Sequence, residues 1–178
     1  MKTALKYLVM AGAGVFILKL FSGKAGASSA NQVTPVSKQT IDSLIDSIIK
    51  KYNDRKYLTD GYVKYWIDKI IKQESGYKNV IGSDGKSIGI MQVTLPTAQS
   101  VLNNKTITKE NLLNDIELNI TAGIKYFIYQ LNRYLGNVSE AVVSYNLGSS
   151  PWKNPELFLN PEDAKIKAKN YWNGVSSK

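Results

Sequence analysis

Apolar residues return with a helical rhythm over most of the chain. Ile41, Leu44, Ile45, Ile48 and Ile49 recur at i, i+3, i+4, i+7 and i+8, which predicts a first helix over about 40–52. Val63, Trp66, Ile67, Ile70 and Ile71 repeat the pattern. They predict a second helix over 61–75, with Asp60 as its N-cap and Gly76 as its stop. The Gly/Ser-rich stretch 82–89 breaks the rhythm and suits a short hairpin ahead of 91–93. Thr94 caps the next helix, which has Pro96 in its first turn and runs to about Asn103. Ile116, Ile120, Ile124, Phe127, Leu131 and Leu135 then form one stripe on a long helix that stops at Gly136. Ser139 caps a helix over 140–147 that Gly148 closes, and Pro161 opens a last, basic one reaching about Trp172. No repeat is visible, and no strand pattern outside the glycine-rich stretch. The fold class is mainly α.

The N-terminal segment follows a different pattern. Lys2 and Lys6 precede an apolar and small-residue run from Tyr7 to Leu18, after which Lys19 interrupts before Leu20 and Phe21. The charge order puts the N-terminus in the cytoplasm. The reading favoured here is a retained membrane anchor over 1–22, crossing the lipid bilayer through residues 7–21 with Lys19 snorkelling to the headgroups. The alternative is a secretory signal cut after Ala27, since Ala25-Gly26-Ala27 has the small-x-small form of a cleavage site. A core helix of the domain is a third reading, opposed by Ala11-Gly12-Ala13-Gly14 at its centre. A linker of small and polar residues follows over 23–37, and 38–178 is left as the single globular domain. Either membrane reading exports that domain.

Composition narrows the chemistry. With no His and no Cys among 178 residues, a Ser-His-Asp triad, a Cys-His pair, an ordinary zinc site, a redox CxxC and any disulfide are excluded. Catalysis must use carboxylates, hydroxyls, amides or lysine. The net charge is +9, but four of the 23 basic residues lie in 1–37 without an acid, leaving 19 against 14. Such a surplus favours polyanions in general without choosing among them. Only the last helix, with Lys165, Lys167 and Lys169, hints at a basic face, so no nucleic-acid partner is expected.

One carboxylate stands apart. Val63, Ile67, Ile70 and Glu74 fall within about 60° of one another on the helical wheel, so Glu74 continues a buried stripe at the C-terminal end of its helix. The macrodipole there disfavours negative charge, and an apolar wall raises the pKa in the same direction. A carboxylic acid still protonated near neutral pH can donate to a leaving oxygen. The other reading of the same position is a helix-end Glu that swings to solvent.

Ile71-Lys72-Gln73-Glu74-Ser75-Gly76-Tyr77 resembles the Glu-Ser motif of the soluble lytic transglycosylase (SLT) family, and three further motifs follow in the family's order. Ser87-Ile88-Gly89-Ile90-Met91-Gln92-Val93 with Pro96-Thr97-Ala98 is similar to its Gly-Leu-Met-Gln segment. Asn119-Ile120-Thr121-Ala122-Gly123-Ile124-Lys125-Tyr126 is similar to its Asn-x-x-x-Gly-x-x-Tyr helix, and Ser144-Tyr145-Asn146-Leu147-Gly148 to its Ala-Tyr-Asn-x-Gly. Ser144 stands where the family usually has Ala, and Ser87 where it often has Ala.

The resemblance spans about 41–172 and implies a lysozyme-like domain, α+β with a minimal hairpin, and a peptidoglycan lytic transglycosylase. It makes Glu74 the lone catalytic acid and base, with Ser75, Met91, Gln92, Tyr126, Tyr145 and Asn146 as substrate contacts and no metal or cofactor. Met91 would offer an apolar surface to a sugar ring and Gln92 an amide to its hydroxyls. Tyr126 is balanced between packing and a hydrogen bond to Glu74. Without the resemblance, Tyr145 reads as a core aromatic. Gly89 and Gly123 read as structural, permitting close approach.

The implied partner is the glycan strand of peptidoglycan, cut with formation of a 1,6-anhydromuramyl end. A goose-type lysozyme-like hydrolase, with water activated by Asp84 or Asp115, is the close alternative. A membrane-anchored wall-binding or assembly protein without activity is the distant one. A small exported enzyme with one anchor and no wall-binding repeats suits local opening of the wall by a phage virion protein or an envelope-spanning secretion complex.

Overall fold

The computed structural model describes residues 37–177. The expected anchor, 1–22, and all of the linker but Ser37 lie outside the described residues. Among those described, no helix is long and apolar enough to cross a membrane.

Seven α-helices and a two-stranded sheet make up the described domain: α1 (Lys38–Tyr52), α2 (Asp60–Glu74), β1 (Ser87–Ile88), β2 (Val93–Thr94), α3 (Leu95–Val101), α4 (Lys109–Asn114), α5 (Ile116–Arg133), α6 (Val138–Leu147) and α7 (Pro161–Ser176). A 3-10 turn, Pro155–Leu157, precedes α7. The long α5 is the hub, lying against α1, α3, α4 and α6, while α7 closes over α2 and α6. Ile120, Ile124, Phe127 and Leu131 of α5 meet Ile41, Ile45, Ile48 and Ile49 of α1 and Val63, Ile67, Ile70 and Ile71 of α2 in one buried cluster. Burying each such side chain contributes about 1.5–3 kcal/mol.

Several boundaries differ from the sequence pattern, each for a local reason. The N-cap of α2 is Thr59, whose hydroxyl accepts from Tyr62 N, and Asp60 is the first helical residue. Asn137 rather than Ser139 caps α6, accepting from Glu140 N. The long helix stops at Arg133. Leu135, expected on its buried stripe, has φ +52 and is 79% exposed. The short α4 has no expectation in the pattern. It is opened by a reciprocal cap in which Thr108 accepts from Asn111 N while the Asn111 side chain accepts from Thr108 N.

The hairpin pairs Ser87 with Thr94 and Ile88 with Val93. Residues 89–92 therefore form its connection, and the hairpin expected within 82–89 is present as a tight turn closed by an antiparallel Ile81–Ile88 bridge, with Gly82 N donating to Ser87 O at 2.7 Å. Asn119 of α5 brackets this connection from below. Its Oδ1 accepts from Met91 N at 2.9 Å and its Nδ2 donates to Ile88 O at 2.9 Å. Gly89 has φ +76, and a Cβ there would lie 2.3 Å from Asn119 Nδ2. Met91 lies equally close to Gly123, where a Cβ would sit 2.7 Å from Met91 Cβ.

Candidate active site

Glu74 is the last residue of α2, and three later elements converge on it. Ser75 Oγ donates to Ile90 O at 2.7 Å, which ties the helix end to the hairpin connection. Tyr171 of α7 donates its hydroxyl to Glu74 Oε1 at 2.6 Å. Asn146, in the last turn of α6, lies near enough to the same carboxyl to lower its pKa. Gly148, at φ +77, ends α6 just beyond it. A left-handed C-cap there costs glycine least.

Glu74 as a residue is half-buried. Enough protein still surrounds it that desolvation dominates and pushes it up to about 7. Tyr171 and Asn146 pull it down, and the charge of Asp84 pushes it further up. Asp84 itself is held in a tight turn. Its Oδ1 accepts from Lys86 N and Ser87 N, both at 2.9 Å, and its Oδ2 from Ser87 Oγ at 2.8 Å. Desolvation raises that carboxyl, but the donors at Ser87 and Lys86 outweigh it and leave it below the usual range. Asp115 caps α5, accepting from Leu118 N at 2.9 Å.

The residues expected around Glu74 fall into two groups. Asn146 lies near the carboxyl, and Tyr145 is close enough that the Glu74 charge, second to burial, raises its hydroxyl well above the usual value. The Tyr145 hydroxyl donates to Met91 O at 2.8 Å. The others face inward. Met91 is fully buried against Gly123 and presents no open surface to a ring. Gln92 spends its amide nitrogen on Gly89 O at 2.7 Å and Val80 O at 3.0 Å, bracing its own left-handed backbone at φ +48. Ser75 spends its hydroxyl on Ile90. Tyr126 donates to Ser144 O at 3.4 Å and lies 5.3 Å from the Tyr145 ring, so it packs beside the site without bonding Glu74.

Sequence reasoning did not find Tyr171. It lies 97 residues from Glu74, on a helix whose one visible signal is basic character.

Among the described residues no group of three or more His, Cys, Asp or Glu side chains could hold a metal ion. What converges is a proton-loaded carboxyl, one hydroxyl donor and one amide, beside a locked anionic carboxylate. That set can give a proton to a leaving oxygen and take one back.

Residues 47–167 match the family model described as the Transglycosylase SLT domain. A solved structure, the 70 kDa soluble lytic transglycosylase SLT70 from Escherichia coli, is similar in fold with a TM-score of 0.50 at 21% sequence identity. The similarity covers 73% of this chain and 22% of that one, so this chain spans about a fifth of that protein's length.

Proposed function

The chain belongs to the transglycosylase SLT domain family, and we propose that it is a peptidoglycan lytic transglycosylase with Glu74 as its one acid and base. The observation that carries this reading is the place of the Glu74 carboxyl where α2, α7 and the hairpin meet, with the Tyr171 hydroxyl 2.6 Å from it, and burial there raises it to about 7. Near neutral pH a large share of it is protonated. Glu74 gives its proton to the glycosidic oxygen between N-acetylmuramic acid and N-acetylglucosamine, and the bond from the muramyl C1 to that oxygen breaks. The substrate's own acetamido oxygen stabilises the cationic C1. The Glu74 carboxylate, now accepting from Tyr171 with Asn146 beside it, takes the proton of the muramyl 6-hydroxyl as that oxygen closes on C1. The product is a 1,6-anhydro ring, and no water is consumed.

A hydrolase would need a second carboxylate to activate water. Asp84 and Asp115 are both committed to backbone donors, which favours the anhydro route over the lysozyme-like one. The expected location is outside the cytoplasmic membrane, anchored through residues 7–21, in a phage virion or an envelope-spanning complex. Support for this comes from Lys2 and Lys6 ahead of the apolar run. Cleavage after Ala27 is the alternative, and N-terminal sequencing of the mature protein decides between them.

The central test is Glu74→Gln, which keeps the volume and removes the titrating proton. Wall-degrading activity is expected to fall by about 10²–10⁴-fold with an unchanged circular dichroism spectrum. Mass spectrometry of the muropeptides released by the native enzyme is expected to show anhydro ends. A folded, fully active variant, or a predominance of reducing ends, would overturn the reading.

A further inference from the structure

The outer face of α2 carries a stripe that the neighbouring helices leave open. Tyr62, Tyr65, Lys69 and Lys72 fall at i, i+3, i+7 and i+10, within about 80° of one another on the helical wheel. On one side α1 flanks the stripe, through Asp46 with Lys64 and Lys38 with Asp68. On the other, Trp172 of α7 stacks on Trp66 at 5.5 Å. Between them Tyr62 is 63% and Tyr65 51% exposed, and Lys72 is exposed. Tyr65 meets Trp66 edge-on at 5.2 Å, so Trp66 is held by rings of its own chain and keeps little open face for a sugar to stack on.

The unpaired charges on this face are of one sign. Lys69 is 9% exposed, and its ammonium lies 4.7 Å over the Tyr65 ring. Lys69, Lys72 and Lys169, which sits three residues before Trp172 on α7, make no ion pair among the described residues. The acids nearest to them along the helices are engaged. Asp68 accepts from Lys38 and Tyr77, and Glu162 from Lys165.

Amphipathic rings interleaved with lysines suit the boundary of a bilayer, where the ring bodies meet apolar chains and the ammonium groups meet acidic headgroups. Two further observations favour lipid as the occupant. Lys38, the first residue of α1, is held 3.5 Å from Asp68, so the chain toward the expected anchor leaves the domain beside this stripe. The 15 residues 22–36 would average about 20 Å end to end as a random chain, enough to let a stripe about 15 Å long reach the surface. Glu74 also lies about 160° around α2 from the centre of the stripe, so a domain resting on this face turns its carboxyl away from the bilayer.

We propose that this face docks the domain on an anionic lipid surface, with Tyr62, Tyr65, Trp66 and Trp172 at headgroup level and Lys69, Lys72 and Lys169 against the acidic headgroups. The inference rests on the reading that places the domain outside the cytoplasmic membrane, and it adds how the catalytic side is aimed at the wall.

Tryptophan emission tests it. Trp66, Trp152 and Trp172 are the three of the whole chain, and none lies in 1–36. The full chain carrying Trp152→Phe therefore emits from this face alone. It is mixed with vesicles of phosphatidylcholine, with or without phosphatidylglycerol, each doped with lipid brominated near the headgroup. Quenching is expected on the anionic vesicles and little on the neutral ones. Lys72→Gln and Lys169→Gln, both changes of exposed side chains, are each expected to weaken the lipid titration about fivefold, and Tyr62→Ser with Tyr65→Ser to weaken it further. Emission that stays unquenched while the chain floats with anionic vesicles would overturn the inference, as would quenching indifferent to phosphatidylglycerol and to the lysines. Shielding of the same tryptophans by stem-free glycan strands or by self-association, with no quenching on vesicles, gives the face to one of those occupants and overturns it too. A chain that does not float with neutral vesicles removes the anchor reading, and its quenching on anionic ones still decides the face.

Discussion

Glu74 must release a proton near neutral pH and recover one in the same turnover, and its neighbours set that balance from opposite sides. Burial is the largest influence and raises its pKa. Tyr171, by its hydrogen bond, and Asn146 beside it lower it, and Asp84 raises it by charge. Because the acid must be protonated to begin, kcat/KM is expected to fall as pH rises through about 7. Tyr171→Phe removes a donor to the carboxylate and is expected to move that alkaline limb to higher pH. Asp84→Asn removes a negative neighbour and is expected to move it lower. Limbs that stay put, or that move the same way, would show that these groups do not set the proton affinity of Glu74. The same shift bears on stability. A folded value near 7 against 4.5 unfolded gives a contribution that is full below pH 4.5 and lost as pH rises to 7. Glu74→Gln is free of that loss. Its stability relative to the native protein should therefore improve by up to about 3 kcal/mol between pH 4 and pH 8, measured by urea unfolding at both ends.

At the scale of elements, the hairpin is too short to hold itself, and α5 holds it through Asn119. Asn119→Ala would leave Met91 N and Ile88 O buried without partners. It is expected to cost about 2–4 kcal/mol and to lower activity through the displaced Met91 carbonyl that anchors Tyr145. A denaturation midpoint that barely moves would contradict the bracket. This arrangement also explains what the sequence disclosed. Helices α1, α2 and α5 were legible because their apolar stripes repeat often enough to be unambiguous, as with Ile41 to Ile49. The six-residue α4 was not, because its capping pair is Thr108 with Asn111 rather than with Glu or Gln. The position of Glu74 at the end of a buried stripe was legible from the helical spacing, and its proposed role only through the resemblance. Gln92 and Met91 read as contacts to sugar through the resemblance, yet the fold spends one on its own turn and the other on Gly123. Their orientation depends on tertiary contacts that no local pattern carries, and the same holds for Tyr171.

Taken as a whole, the domain is wider than the segment its family match covers. Residues 47–167 match, yet Ile41 and Ile45 before that range, and Ala168, Tyr171 and Val175 after it, are buried. The hydroxyl that meets Glu74 belongs to one of them. Ser37 caps α1 by accepting from Thr40 N. Each large apolar side chain removed from such a core costs about 1.5–3 kcal/mol, against a total stability of about 5–15 kcal/mol for a domain of this kind. Removing four of them together leaves little or nothing. A chain trimmed to 47–167 is therefore expected to lack a cooperative thermal transition and to be inactive on peptidoglycan. One spanning 37–178 should melt cooperatively and cut the wall. Calorimetry of the two proteins side by side, with muropeptide release as the second readout, checks this. A cooperative, active 47–167 chain would show that α7 and the start of α1 are accessory, and would remove Tyr171 from the site.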